Sequence, residues 1–225
     1  GGRIAIEATR NAPPDGMTLM LVSIELLSLY PLVYTRLGYD PFNDFAMVAG
    51  VSSAPYALAV NPKSGHDTLA SLVAWCKANP RAAAYGTPGL GTPQHFLGNI
   101  LGRDAGMDFN HIPYKGGAPA MQDLAGGQVP CVITSHATAA PLMRAGSIRV
   151  LAHSAAARLR SAPEVPTFAE LGYKSMVAEG DFLLATHVKA PADVVRRVSA
   201  AVLAQVRGEA ARSGLAKLGQ EPLPV

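Results

Sequence analysis

From Asp67 to Pro80 the apolar residues Leu69, Leu72, Val73 and Cys76 recur at helical spacing, with Asp67 or Thr68 placed to cap the start and Asn79 and Pro80 to stop the end. The same reading extends along the chain. "GGRIAIEATRNAPPDG" predicts a helix entered through glycines and ended at Pro13 and Pro14, and "MTLMLVS" predicts a strand. "LLSLYPLVYTRLGYDPFNDF" is interrupted at Pro31 and Pro41, which predicts a short helix and then a loop packed with Tyr34, Tyr39, Phe42 and Phe45. "AMVAGVSS" and "YALAVNP" read as two strands. After the helix at 67–80, the strands "AAAYGT", "DFNHIPY", "VPCVITS" and "IRVLAHS" alternate with helices in "PQHFLGNILGRDAG", "GGAPAMQDLAGG" and "ATAAPLMRAG". That alternation predicts βαβ units and a parallel sheet, whose buried strands show as apolar runs such as "IRVLA" and "CVI". Beyond a loop at 157–180, "DFLLATHV" is one more strand, and 193–208 a helix with Val194, Val198, Val202 and Val206 on one stripe.

Composition narrows the classes. The 225 residues, 49% hydrophobic and 16% charged, suffice for one or two compact domains. Net charge is +3, but the 19 Lys and Arg are scattered without aromatic interleaving, which argues against a nucleic-acid partner. Cys76 and Cys131 lie far apart outside any metal-ligand pattern and read as two buried, unpaired thiols. No apolar run approaches the ~18 residues of a membrane helix, and no signal peptide opens the chain, so it reads as soluble or processed.

The chemistry concentrates in "YGTPGLGTPQH", Tyr85 to His95. Gly86 and Gly91 stand at the P-loop interval, but Thr92 and Pro93 occupy the places of the Lys and Ser/Thr that meet phosphate and magnesium, and Gln94 breaks the dinucleotide pattern. GxSxG and HExxH are absent too; a Ser/His/Asp group assembled in space stays open. What the loop offers is binding: glycines that let backbone approach a ligand, hydroxyls on Thr87 and Thr92, and a helix start with free N–H groups, which together suit a carboxylate. An ordinary βα connection in which Thr92 merely caps the helix fits the spacing equally well.

These segments resemble the periplasmic solute-binding receptors of tripartite tricarboxylate transporters. The resemblance is carried by "APPDGMTLML", "LGYDPFNDFAMVAGV", "YGTPGLGTPQHFLG", "HIPYKGGAPAMQDLAGGQV", "PLMRAGSIRVLA" and "PEVPTFAELGY". It implies an α/β, type II periplasmic binding protein fold of two lobes joined by crossing strands, apparently truncated at both ends. Residues 1–59 plus 184–225 form the first, incomplete lobe and 60–183 the second. It further implies a ligand set of Thr87, Gly89, Leu90, Thr92 and His95, with Thr134 and Ser135 at a strand end, Ser23 and Glu25 in the first lobe, and Asp181 and Phe182 near the return crossover. His95 reads either as a donor to the solute or as a helix-packing residue, and Glu25 either as a ligand contact or as a solvent-facing acid.

The function implied is a non-enzymatic periplasmic receptor, cofactor-free and monomeric, that captures a small organic acid, aliphatic or aromatic, for the membrane permease subunits. An enzyme or sensory domain reusing the fold, or a vestigial receptor, stands as the alternative, because a fold does not fix a function.

Overall fold

The computed structural model describes residues 2–223 and Val225, apart from the side chain of Arg3. They form two compact units, residues 1–53 with 180–225, and 54–179.

In the first unit, α1 (Arg3–Arg10) is entered through Gly2, at φ 84°, and ends at Asn11, ahead of the proline pair. Strand β1 (Met20–Ser23) pairs antiparallel with β7 (Glu179–His187), from Met20 against Ala185 to Ser23 against Phe182. The predicted short helix is split into α2 (Glu25–Ser28) and α3 (Tyr30–Val33), with Pro31 at the start of the second turn, where a missing N–H costs nothing. Ile6, Met20, Val22, Leu26, Leu27, Phe45 and Ala185 make the core. Tyr39 joins it, its ring edge-on to Phe45 at 6.2 Å and its hydroxyl donating to the Leu26 carbonyl. Phe42 departs from expectation: it is 82% exposed, because the turn at 40–44 is tied by the Asp40 carboxylate to the Phe42 and Asn43 amides and turns that ring outward.

The C-terminal helix, α8, runs Ala192–Val206. Of its four stripe valines only Val206 is fully buried, while Val194 packs on the turn at Gly16, where a Cβ would lie 2.7 Å from Val194 Cγ1. Two elements were not anticipated, α9 (Glu209–Lys217) and the short β8 (Glu221–Pro222), which pairs with β2 (Phe45–Val60) at Ser52.

That second strand corrects another expectation, since the two predicted runs form one strand that passes through Pro55. A proline interrupts a strand where its missing N–H would face a partner. Next to it, Tyr56 finds partners off the regular ladder, its N–H donating to Ser154 Oγ and its carbonyl accepting from the Ser154 N–H, both at 2.8 Å.

In the second unit β2 lies between β5 (Cys131–Ser135) and β6 (Arg149–His153), antiparallel to both, and β3 (Ala84–Thr87) lies parallel between β5 and β4 (Asn110–Pro113). The sheet is therefore mixed, parallel only on the side of β3. Leu58 and Val60 turn to one face, against α4 (Leu69–Ala78) and α5 (Pro93–Ala105), while Ala57 and Ala59 turn to the other, against α6 (Gly117–Ala125) and α7 (His136–Arg144). The predicted face Leu69, Leu72, Val73 and Cys76 is buried, and Thr68 and Ser71 close a reciprocal capping box at its start. Both thiols are free and buried, and burial raises that of Cys76 to about 11.

Two predictions follow from this packing. A Cβ on Gly98 of α5 would lie 2.0 Å from the ring of the fully buried Tyr85, so Gly98→Ala should cost about 1–3 kcal/mol of overpacking, more than the ~1 kcal/mol gained in helix propensity. Urea unfolding at fixed m-value measures it; an unchanged midpoint would show that the ring moves aside freely. His136 and His153 are buried edge to face at 6.3 Å. Burial, then His153 and Arg144, bring His136 down to about 4 against a smaller opposing pull from Glu164; burial lowers His153 in spite of Glu170. The unfolded chain therefore binds protons first, and stability should fall as pH drops from 6.5 toward 4. Thermal melts across that range should show a shallower decline in His136→Gln than in the unsubstituted protein.

Candidate functional site

The C-terminal ends of β3, β4 and β5 share one edge of the second unit, and the starts of α5, α6 and α7 open there. Binding sites gather at such edges because helix N-termini present free N–H groups and a partial positive charge. The three starts differ. Thr92 caps α5, its Oγ1 accepting from the His95 N–H at 3.4 Å and donating to the Gly89 carbonyl at 2.9 Å. Ser135 caps α7, its Oγ accepting from the Thr138 N–H at 3.2 Å. Helix α6 opens on Gly116, at φ 112°, without a side-chain cap.

The loop joining β3 to α5 is fastened on both sides. Gly116 N–H donates to the Pro88 carbonyl and Tyr114 N–H to the Thr87 carbonyl, each at 2.9 Å, which ties it to the segment leading into α6. Thr87 is fully buried, and its hydroxyl engages Gly89 and His111. The hydroxyls of Thr87 and Thr92 are thus occupied by the loop itself, and Leu90 stands exposed at its tip. Gly91, at φ 72°, donates its N–H to His95 Nδ1 at 3.3 Å, and the His95 ring stacks on His111 at 4.0 Å. His95 is therefore engaged in packing and in loop structure. Burial lowers its protonation, and burial followed by His95 brings His111 to about 4, so both rings are neutral near pH 7.

Thr134 is the exception at this edge. Only 1% exposed, its Oγ1 has no hydrogen-bond partner among the described residues. A Cβ added to Gly117 would approach that oxygen to 3.1 Å, so the uncapped start of α6 and the orphaned hydroxyl sit side by side. A buried hydroxyl without a partner costs about 1–3 kcal/mol, so the arrangement calls for a ligand or water that supplies the missing bond. No acidic residue lies between Tyr85 and Asn99 to oppose an anion.

The remaining expected residues come together in the first unit. Ser23 faces Phe182 across the β1–β7 ladder, the Ile24 N–H donates to the Asp181 carbonyl at 2.8 Å, and Glu25 begins α2. These positions carry a hydroxyl, two carboxylates and a ring. The described residues hold no group of three or more His, Cys, Asp or Glu that could bind a metal ion.

The residues missed from sequence are His111, Gly116 and Gly117. The signal for the glycines was the "GGAP" at a helix start, and His111 carried none, because its role comes from a neighbouring strand.

Comparison with known proteins agrees with this architecture. A profile of the tripartite tricarboxylate transporter family receptors matches residues 1–225. Protein BugT of Bordetella pertussis is 38% identical over 183 residues, covering 79% of this chain and 55% of BugT, so the chain spans about half the length of that curated relative. Among solved structures, Rpa4515 of R. palustris with adipate superposes at TM-score 0.92 and 30% identity, over 99% of this chain and 76% of that one. The periplasmic binding protein BugD superposes at TM-score 0.87 and 26% identity, over 100% and 75%. The fold is the α/β fold of these type II periplasmic binding proteins. The chain belongs to the tripartite tricarboxylate transporter family receptors.

Proposed function

We propose that the protein is a periplasmic receptor that captures a small organic carboxylate and passes it to the membrane permease subunits of a tripartite tricarboxylate-type transporter, acting by binding alone. The observation that carries the carboxylate assignment is the orphaned Thr134 Oγ1 beside the uncapped start of α6. A carboxylate oxygen accepts from that hydroxyl and from the first N–H groups of the helix, and charge-assisted bonds of this kind are about twice as strong as neutral ones. The similar R. palustris protein is solved with adipate, a dicarboxylate, which supports an aliphatic acid. No helix of the described residues is long and apolar enough to cross a membrane. Thr87, Gly89, Leu90, Thr92, His95 and Ser135 shape this edge in the proposal, while Thr134 touches the solute.

Two measurements test it. A thermal-shift panel of aliphatic and aromatic acids should include at least one that stabilises the protein, by roughly 2.7 kcal/mol at about 100 times its dissociation constant. Stabilisation by amines or neutral sugars with none by acids would overturn the assignment. In Thr134→Val the two effects separate: affinity should fall by about 1.5–3 kcal/mol with the lost charge-assisted bond, whereas the ligand-free protein should melt no lower, because an unsatisfied buried hydroxyl has been removed. Thr92→Val is the contrasting variant, losing about 1 kcal/mol of stability with its cap and no direct ligand contact.

A further inference from the structure

The loop between β3 and α5 has an entry and an exit, and His111 on β4 reaches both. At the entry, His111 Nε2 lies 2.6 Å from Thr87 Oγ1, which also meets the Gly89 nitrogen at 3.3 Å and its carbonyl oxygen at 3.1 Å. A hydroxyl accepts twice and donates once. All three contacts are satisfied when His111 Nε2–H and Gly89 N–H donate to Oγ1 and the hydroxyl donates to the Gly89 carbonyl. At the exit, the His111 ring stacks on His95 with planes 23° apart, and His95 Nδ1 takes the Gly91 N–H. Tyr85, on β3, covers His111 at 5.1 Å, and it is the other titratable group that faces the pair.

We propose that His111 is the positioning residue of this loop: it fixes Thr87 by a hydrogen bond and His95 by stacking, and so sets the backbone that flanks the carboxylate site. The inference rests on the carboxylate reading for its consequence in binding, but not for its structural content. The exit half works only while His95 is neutral, because a protonated Nδ1 cannot accept from Gly91. Burial keeps His95 below its usual range, and removal of the stacked ring would return it to solvent.

Two variants separate the two contacts. His111→Gln keeps a donor for Thr87 and loses the stack, whereas His111→Phe keeps a ring for His95 and loses the donor. In the ligand-free protein, amide resonances of Gly89 and Gly91 and the titration of the His95 ring are followed by NMR, and affinity for adipate is measured at pH 7. His111→Gln should shift Gly91 and move the His95 titration up toward 6.5, and His111→Phe should shift Gly89 with little change at Gly91. Each should weaken adipate binding by about tenfold if the loop is the acid's support. Wild-type resonances and an unmoved His95 titration in both variants would overturn the proposal. If no acid binds the unsubstituted protein, the carboxylate reading fails, and the ligand-free resonances still decide whether His111 holds the loop.

Discussion

The second unit is organised around a strand buried on both faces and paired on both edges. Residues 57–60 of β2 are entirely excluded from solvent, with Leu58 and Val60 in one helical layer and Ala57 and Ala59 in the other. A strand buried on both faces must have both edges paired, because a backbone amide or carbonyl left without a partner in that environment costs as much as a lost hydrogen bond. The ladders to β5 and β6 meet this requirement. The small alanines let α6 and α7 approach the sheet closely on their side, while Leu58, Val60 and the broad ring of Tyr85 fill the side of α4 and α5. The positions of all four helices, and of the three helix starts at the candidate site, descend from that alternation.

At those starts the molecule treats three similar termini differently. Two are completed internally, by Thr92 and Ser135, and the third is left to glycine. A capped terminus has already committed a donor to its own side chain, whereas an uncapped one retains free N–H groups. The Thr134 hydroxyl beside the same terminus, with no partner among the described residues, adds to the unmet demand. That local deficit, small against the whole fold, is what the proposed carboxylate would satisfy.

Four histidines in the second unit, His95, His111, His136 and His153, are kept below their usual protonation range. Their neutrality is first a consequence of burial, since charging an imidazole away from water is costly. It also keeps extra positive charge from accumulating behind helix starts that already carry a partial positive end.

The sequence by itself determined most of the elements, though not α9, β8 or the continuity of β2, and most of the chemistry available. Apolar period placed α4 with its cap, proline and glycine punctuation ended α1 and opened α5, and the quoted segments carried the family resemblance. It also pointed to the loop between β3 and α5, which the structure places at the shared edge of three strand ends and three helix starts. Tertiary structure alone decided which hydroxyls are free. Thr87, Thr92 and Thr134 look alike along the chain, and only contacts from other elements separate them: His111 and Gly89 occupy the first, α5 takes the second, and no described residue meets the third. The continuity of β2 through Pro55, where Tyr56 meets Ser154, was illegible for the same reason. A residue's partners across a sheet or beneath a helix lie tens of positions away in sequence, beyond the reach of any local pattern.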